Sequence, residues 1–104
     1  YLSNMKKLSD SEVQNQLKSI PGWEFYQNSL QINLTFKNFR ECMTVINKIA
    51  TESESLNHHP DWTNSYNTLS VKLTTHDVEG LTLLDFKLAK TIIRIAEEVS
   101  GVKI

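Results

Sequence analysis

Two stretches of strict alternation are set between stretches of helical spacing, and this change of period limits the folds open to the chain more than any other feature. Leu30, Ile32, Leu34 and Phe36 alternate with polar residues, as do Leu69, Val71 and Leu73. Alternation puts every second side chain on one face, the pattern of a half-buried strand. Each run has a partner across a turn. Trp23 and Phe25 precede Gln27-Asn28-Ser29, and the residues from Trp62 to Tyr66 precede Asn67-Thr68. Two hairpins are therefore predicted, over 23–36 and 62–75. Their polar faces imply a sheet covered on one side only.

Three helices fit between and around the hairpins. Ser9-Asp10-Ser11-Glu12 is a capping box, with Val13, Leu17 and Ile20 at helical spacing behind it and Pro21-Gly22 as the stop. Asn38 opens a second helix. There Phe39, Cys42, Met43, Val45, Ile46, Ile49, Ala50 and Leu56 share an arc of about 160°, and Pro60 forces an end near His58-His59. Cys42 lies on that arc and reads as inert filler. Thr82-x-x-Asp85 is a further capping box. The helix it opens runs to Gly101 and carries apolar residues over about 200°, from Leu84, Phe86, Leu88 and Ala89 through Ile92, Ile93, Ile95, Ala96 and Val99. One sheet face is not expected to cover so wide an arc, so a homodimer or homotetramer is expected. The fold predicted is α+β, in the order α-β-β-α-β-β-α: a four-stranded, mainly antiparallel sheet with its helices on one face.

The 104 residues make one domain, long enough to bury roughly 60–70% of its unfolded surface. Eleven basic and twelve acidic residues, with no block of one sign, argue against direct nucleic-acid binding. No apolar run approaches the roughly 20 residues of a membrane span, and no signal-peptide pattern opens the chain. A single cysteine allows no internal disulfide, so a cytoplasmic location is expected. Residues 1–4, ahead of Met5, fit either an added leader or a trimmed precursor.

All three histidines fall in one stretch, as His58-His59 followed by Pro60 and Trp62, and as His76 where the last strand runs out. Imidazole, with an ordinary pKa of about 6.5, exchanges protons at neutral pH. A lone histidine near a helix end commonly caps carbonyls; three gathered together point to a site. Three histidines could also hold zinc. However, adjacent residues in extended chain face opposite ways, and neither an HExxH helix nor a cysteine pair accompanies them. Metal-free acid–base chemistry is the reading these residues favour. Pro60 would turn the pair toward one cleft, and Trp62 offers either a flat wall or a core aromatic.

The spacing Glu54-x3-His58-His59-Pro60-x5-Tyr66-x9-His76-x8-Asp85 resembles the signature of the pterin-4a-carbinolamine dehydratases. Trp62, Thr75-His76-Asp77 and Gly80-Leu81-Thr82 are similar to that family as well. Asn57 departs from the Asp that some relatives carry before the histidine pair. The resemblance implies an enzyme that removes water from 4a-hydroxy-tetrahydropterin to give quinonoid dihydropterin, in tetrahydrobiopterin recycling, with no cofactor and no metal. It implies that His59 or His58 acts at the departing hydroxyl and His76 at the other proton. Glu54 or Asp85 would orient a histidine, and backbone groups from Thr75 through Asp77 to Val78 would meet the pterin's polar edge. Asp85 is also the capping acid of the last helix, and a carboxamide there is expected to cost less than loss of a histidine. Animal relatives serve as dimerisation cofactors of a homeodomain transcription factor. The resemblance therefore also admits a protein-binding module, present in the nucleus as well, or an inactive pterin binder.

Overall fold

The computed structural model describes residues 6–104; residues 1–4 and the question of their origin lie outside it. The elements are α1 (Asp10–Leu17), β1 (Glu24–Tyr26), β2 (Ser29–Thr35), α2 (Phe39–Leu56), β3 (Asp61–Ser65), β4 (Thr68–Leu73), a short 3-10 turn (His76–Val78) and α3 (Leu83–Ser100). The order is α-β-β-α-β-β-α, as the alternation and the helical spacing predict. The four strands form one antiparallel sheet in the order β1-β2-β4-β3.

Local chemistry explains most of the boundaries. Both capping boxes form: Ser9 and Glu12 satisfy each other's backbone N–H groups at α1, and Thr82 and Asp85 do so at α3. Asn38 accepts the Glu41 N–H and starts α2. Gln27 and Asn28 both take positive φ, the geometry that lets a two-residue turn follow the twist of its strands. The second hairpin turns one residue earlier than predicted. Ser65 pairs with Thr68, so Tyr66-Asn67 forms the loop and Thr68 belongs to β4. Asn67 decides this by donating its side-chain amide to the Phe36 carbonyl, while the Phe36 N–H returns a bond to the Asn67 carbonyl.

The core lies between one sheet face and the helices. Leu30, Ile32 and Leu34 of β2 and Leu69, Val71 and Leu73 of β4 are buried against Cys42, Val45, Ile46 and Ile49 of α2 and Phe86 to Ala96 of α3. The other sheet face is polar, with Ser70 of β4 donating to Asn33 of β2 across it. Two expectations are corrected. Phe39, placed on the α2 core arc by spacing, is 47% exposed and stacks on Tyr66 instead. The wide arc of α3 needs no second copy to cover it. Leu88, Ile92, Ile93 and Ile95 are all buried within one chain, because α2 packs on the flank of α3 that the sheet leaves open. The breadth of the α3 arc is thus accounted for within one chain, and it bears neither way on a homodimer or homotetramer. No helix among the described residues is long and apolar enough to cross a membrane.

Candidate active site

The end of α2 delivers the histidine pair. Asn57 adopts the left-handed conformation, its N–H reaches the Glu54 carbonyl, and the His58 N–H reaches the Ser53 carbonyl. These two bonds are the Schellman arrangement, in which a left-handed residue closes the helix. Asparagine tolerates that geometry better than most residues. The helix therefore stops at Leu56, before the pair and two residues earlier than Pro60 alone requires.

His76 comes from a different part of the chain. Beyond β4, Thr75 pairs with Gly80 in an isolated bridge, and the chain between them coils into the 3-10 turn that His76 opens. Glu79 takes positive φ to close it. His58, His59 and His76 line one cleft of about 600 Å³, together with Thr75 and Asp77. Sequence reasoning missed Ser55, Leu56, Asn57, Thr74, Leu84 and Lys87, which complete the lining. Leu84 and Lys87 stand one turn apart at the start of α3, and i,i+3 spacing from that capped end was the available signal.

The three imidazoles sit in different surroundings. His58 is nearly buried, its side chain 10% exposed, and its Nε2 lies 2.6 Å from Oδ1 of Asp85. Asp85 is wholly buried, and its Oδ2 accepts from the Thr75 hydroxyl at 2.7 Å and the Thr82 N–H at 2.9 Å. His59 is exposed, and its Nε2 lies 2.5 Å from Oε2 of Glu54, itself exposed. His76 is exposed and makes no side-chain hydrogen bond to a described residue. Such an arrangement can anchor one imidazole firmly while leaving two others to meet a ligand.

The remaining candidates fall outside the lining. Glu54 reaches the cleft only through His59, and Asp85 only through His58. Pro60 and Val78 flank the lining residues without joining them. Trp62 pairs with Val71, so it faces the helix side of the sheet at the outer edge of β3, and it is not a wall of the cleft. Among the described residues no three His, Cys, Asp or Glu side chains converge as metal ligands do.

Residues 6–95 match the family described as Pterin 4 alpha carbinolamine dehydratase. The chain belongs to this family. It is 44% identical over 96 residues to a provisionally named pterin-4-alpha-carbinolamine dehydratase of Christiangramia forsetii, covering 92% of this chain and 99% of the relative. A protein of the same provisional name from Prochlorococcus marinus is 47% identical over 93 residues, with 89% and 97% covered. Among solved structures, a transcriptional coactivator/pterin dehydratase from Brucella melitensis superposes with a TM-score of 0.86 at 33% identity, covering 88% of this chain and 99% of that one. A pterin dehydratase-like protein identified as a RuBisCO assembly factor in the alpha-carboxysome shares the fold alone, with a TM-score of 0.61 at 13% identity over 71% of this chain and 86% of that one. The cleft of this dehydratase-family chain is therefore lined by the three histidines that the sequence resemblance singled out, with Asp85 behind His58.

Proposed function

We propose that this chain dehydrates 4a-hydroxy-tetrahydropterin to quinonoid dihydropterin in tetrahydrobiopterin recycling, using its histidines as acid and base. The observation that carries the reading is that His58 and His76 line one cleft, with His58 anchored on buried Asp85. In the reaction the bond from C4a to the hydroxyl oxygen breaks, the hydroxyl leaves as water after taking up a proton, and N5 gives up its proton as the double bond between C4a and N5 forms. One imidazole supplies the first proton and another accepts the second. Because Nε2 of His58 is committed to Asp85, Nδ1 is the His58 atom that meets the substrate. His59, steadied by Glu54, and Lys87 hold the ligand at the mouth.

Stopped-flow absorbance on freshly generated carbinolamine tests this directly. The parent protein accelerates the loss of water, and His76→Ala brings the rate down by on the order of 10²–10⁴-fold. A parent rate equal to the uncatalysed background sinks the enzymatic reading. The Brucella relative's description as a transcriptional coactivator supports the second reading, a protein-binding module, which that outcome would leave in place.

A further inference from the structure

We infer that Thr75 and Thr82 are positioning residues for His58, joined to it through Asp85 by a hydrogen-bond chain whose direction is determined at every link. The kinetic part of this inference rests on the dehydratase reading; the structural part does not.

The chain can be read from either end. An ionised carboxylate has no hydrogen to give, so the Thr75 hydroxyl, 2.7 Å from Oδ2 of Asp85, must donate to it. That spends the only hydrogen the Thr75 hydroxyl has. Its oxygen lies 2.9 Å from Oγ1 of Thr82, and there it can only accept, so Thr82 is the donor. Thr82 Oγ1 in turn accepts the Leu84 N–H at 3.3 Å, and the Thr82 N–H donates to Asp85 Oδ2. At the far end Asp85 Oδ1 also can only accept. His58 must then carry a hydrogen on Nε2, and in the neutral ring this leaves Nδ1 bare.

The two threonines do something that Asp85 alone does not. A carboxylate turns about its terminal torsion, which is broad and roughly two-fold. Two donors converge on Oδ2, and this pins the group so that Oδ1 faces the imidazole. Thr75, Thr82 and Asp85 are each at most 4% exposed. Water does not stand in for a lost partner there, and a half-satisfied network is costly. Thr75 lies just beyond β4 and lines the cleft, whereas Thr82 caps α3. The hydroxyl chain therefore ties the ring state of His58 to the junction of strand and helix.

The test reads the His58 ring in the free protein, by proton–nitrogen correlation spectra of the imidazoles. Parent protein and Thr75→Ser should show a slowly exchanging Nε2–H with a bare Nδ1. Thr75→Val, equal in shape but without the hydroxyl, should lose that signal to exchange or to a mixture of tautomers. Thr82→Val should act in the same direction, and it carries the test alone if Thr75→Val fails to fold by near-ultraviolet circular dichroism. On carbinolamine, Thr75→Val should lower kcat roughly tenfold, the factor one hydrogen bond commands, with KM changed less than about twofold. Thr75→Ser should recover most of the loss. A His58 ring signal unchanged in the folded valine variants overturns the inference. A parent that shows the ring signal and catalyses nothing overturns the dehydratase reading and leaves the positioning role standing.

Discussion

His58 Nε2 and Asp85 Oδ1 meet at 2.6 Å although 27 residues separate them in the chain. The contact joins the residue just past α2 to the first turn of α3, so one buried polar link ties the ends of the two longest helices to the cleft. Asp85 thereby serves two purposes, closing the capping box of α3 and anchoring the imidazole.

That double use changes the expected effect of Asp85→Asn. Read as a capping acid, the residue tolerates a carboxamide. Buried beneath three donors, it does not, because the amide turns one acceptor into a donor facing another donor. Leaving such a group unpaired costs about 1–3 kcal/mol. Urea unfolding of Asp85→Asn should show a loss of that size, accompanied by at least a tenfold fall in dehydration rate. Unchanged stability would mean that the network rearranges around the amide.

His58 and His76 should behave as one unit. Groups that act as a unit in one elimination, one giving a proton as the other takes one, are not additive. The double His58→Ala/His76→Ala variant should therefore be little slower than either single variant. His59→Ala should cost less than His58→Ala, since its pair with Glu54 is solvent-exposed and exposed pairs of this kind contribute about 0–1 kcal/mol. Single-turnover rates for the four variants decide the point; independent, multiplying losses would show separate roles.

Asn57 closes α2 in the left-handed conformation. A side chain with no local hydrogen bonding meets a penalty of about 1–2 kcal/mol there. Thermal unfolding of Asn57→Ala should fall by roughly 4–8 °C per kcal/mol lost in a domain of this size, while Asn57→Gly should match or exceed the parent. Because the histidine pair begins at the next residue, Asn57→Ala should also weaken substrate binding, seen as a higher KM.

Cys42 is fully buried, and the Asn64 side-chain amide donates to its sulfur at 3.3 Å. Burial pushes its thiol above the usual range, which keeps the nucleophilic thiolate scarce at neutral pH. Iodoacetamide at pH 7.4 should leave the folded protein unlabelled and label it fully in denaturant, as mass spectrometry would show. Labelling of the native protein within minutes would contradict the burial.

Much of this protein is decided by interactions a few residues long, and those are legible in the sequence. Alternation marks the strands because side chains of an extended chain take opposite faces in turn. The capping boxes mark where α1 and α3 begin because both partners lie within one turn. The spacing of Glu54, His58, His59, His76 and Asp85 is likewise written in the chain, and it carries the family resemblance. What only the tertiary structure decided is which distant residues meet. Glu54 and Asp85 were equal candidates to orient a histidine; packing of α3 against α2 gives Asp85 the buried His58 and leaves Glu54 the exposed His59. Trp62 was a candidate wall of the cleft, and the register of β3 on β4 carries it elsewhere. The breadth of the apolar arc on α3 suggested a partner chain, because spacing reports how much surface is apolar and not what lies against it. The sheet on one flank and α2 on the other cover that arc, and this follows from long-range packing that no local pattern encodes.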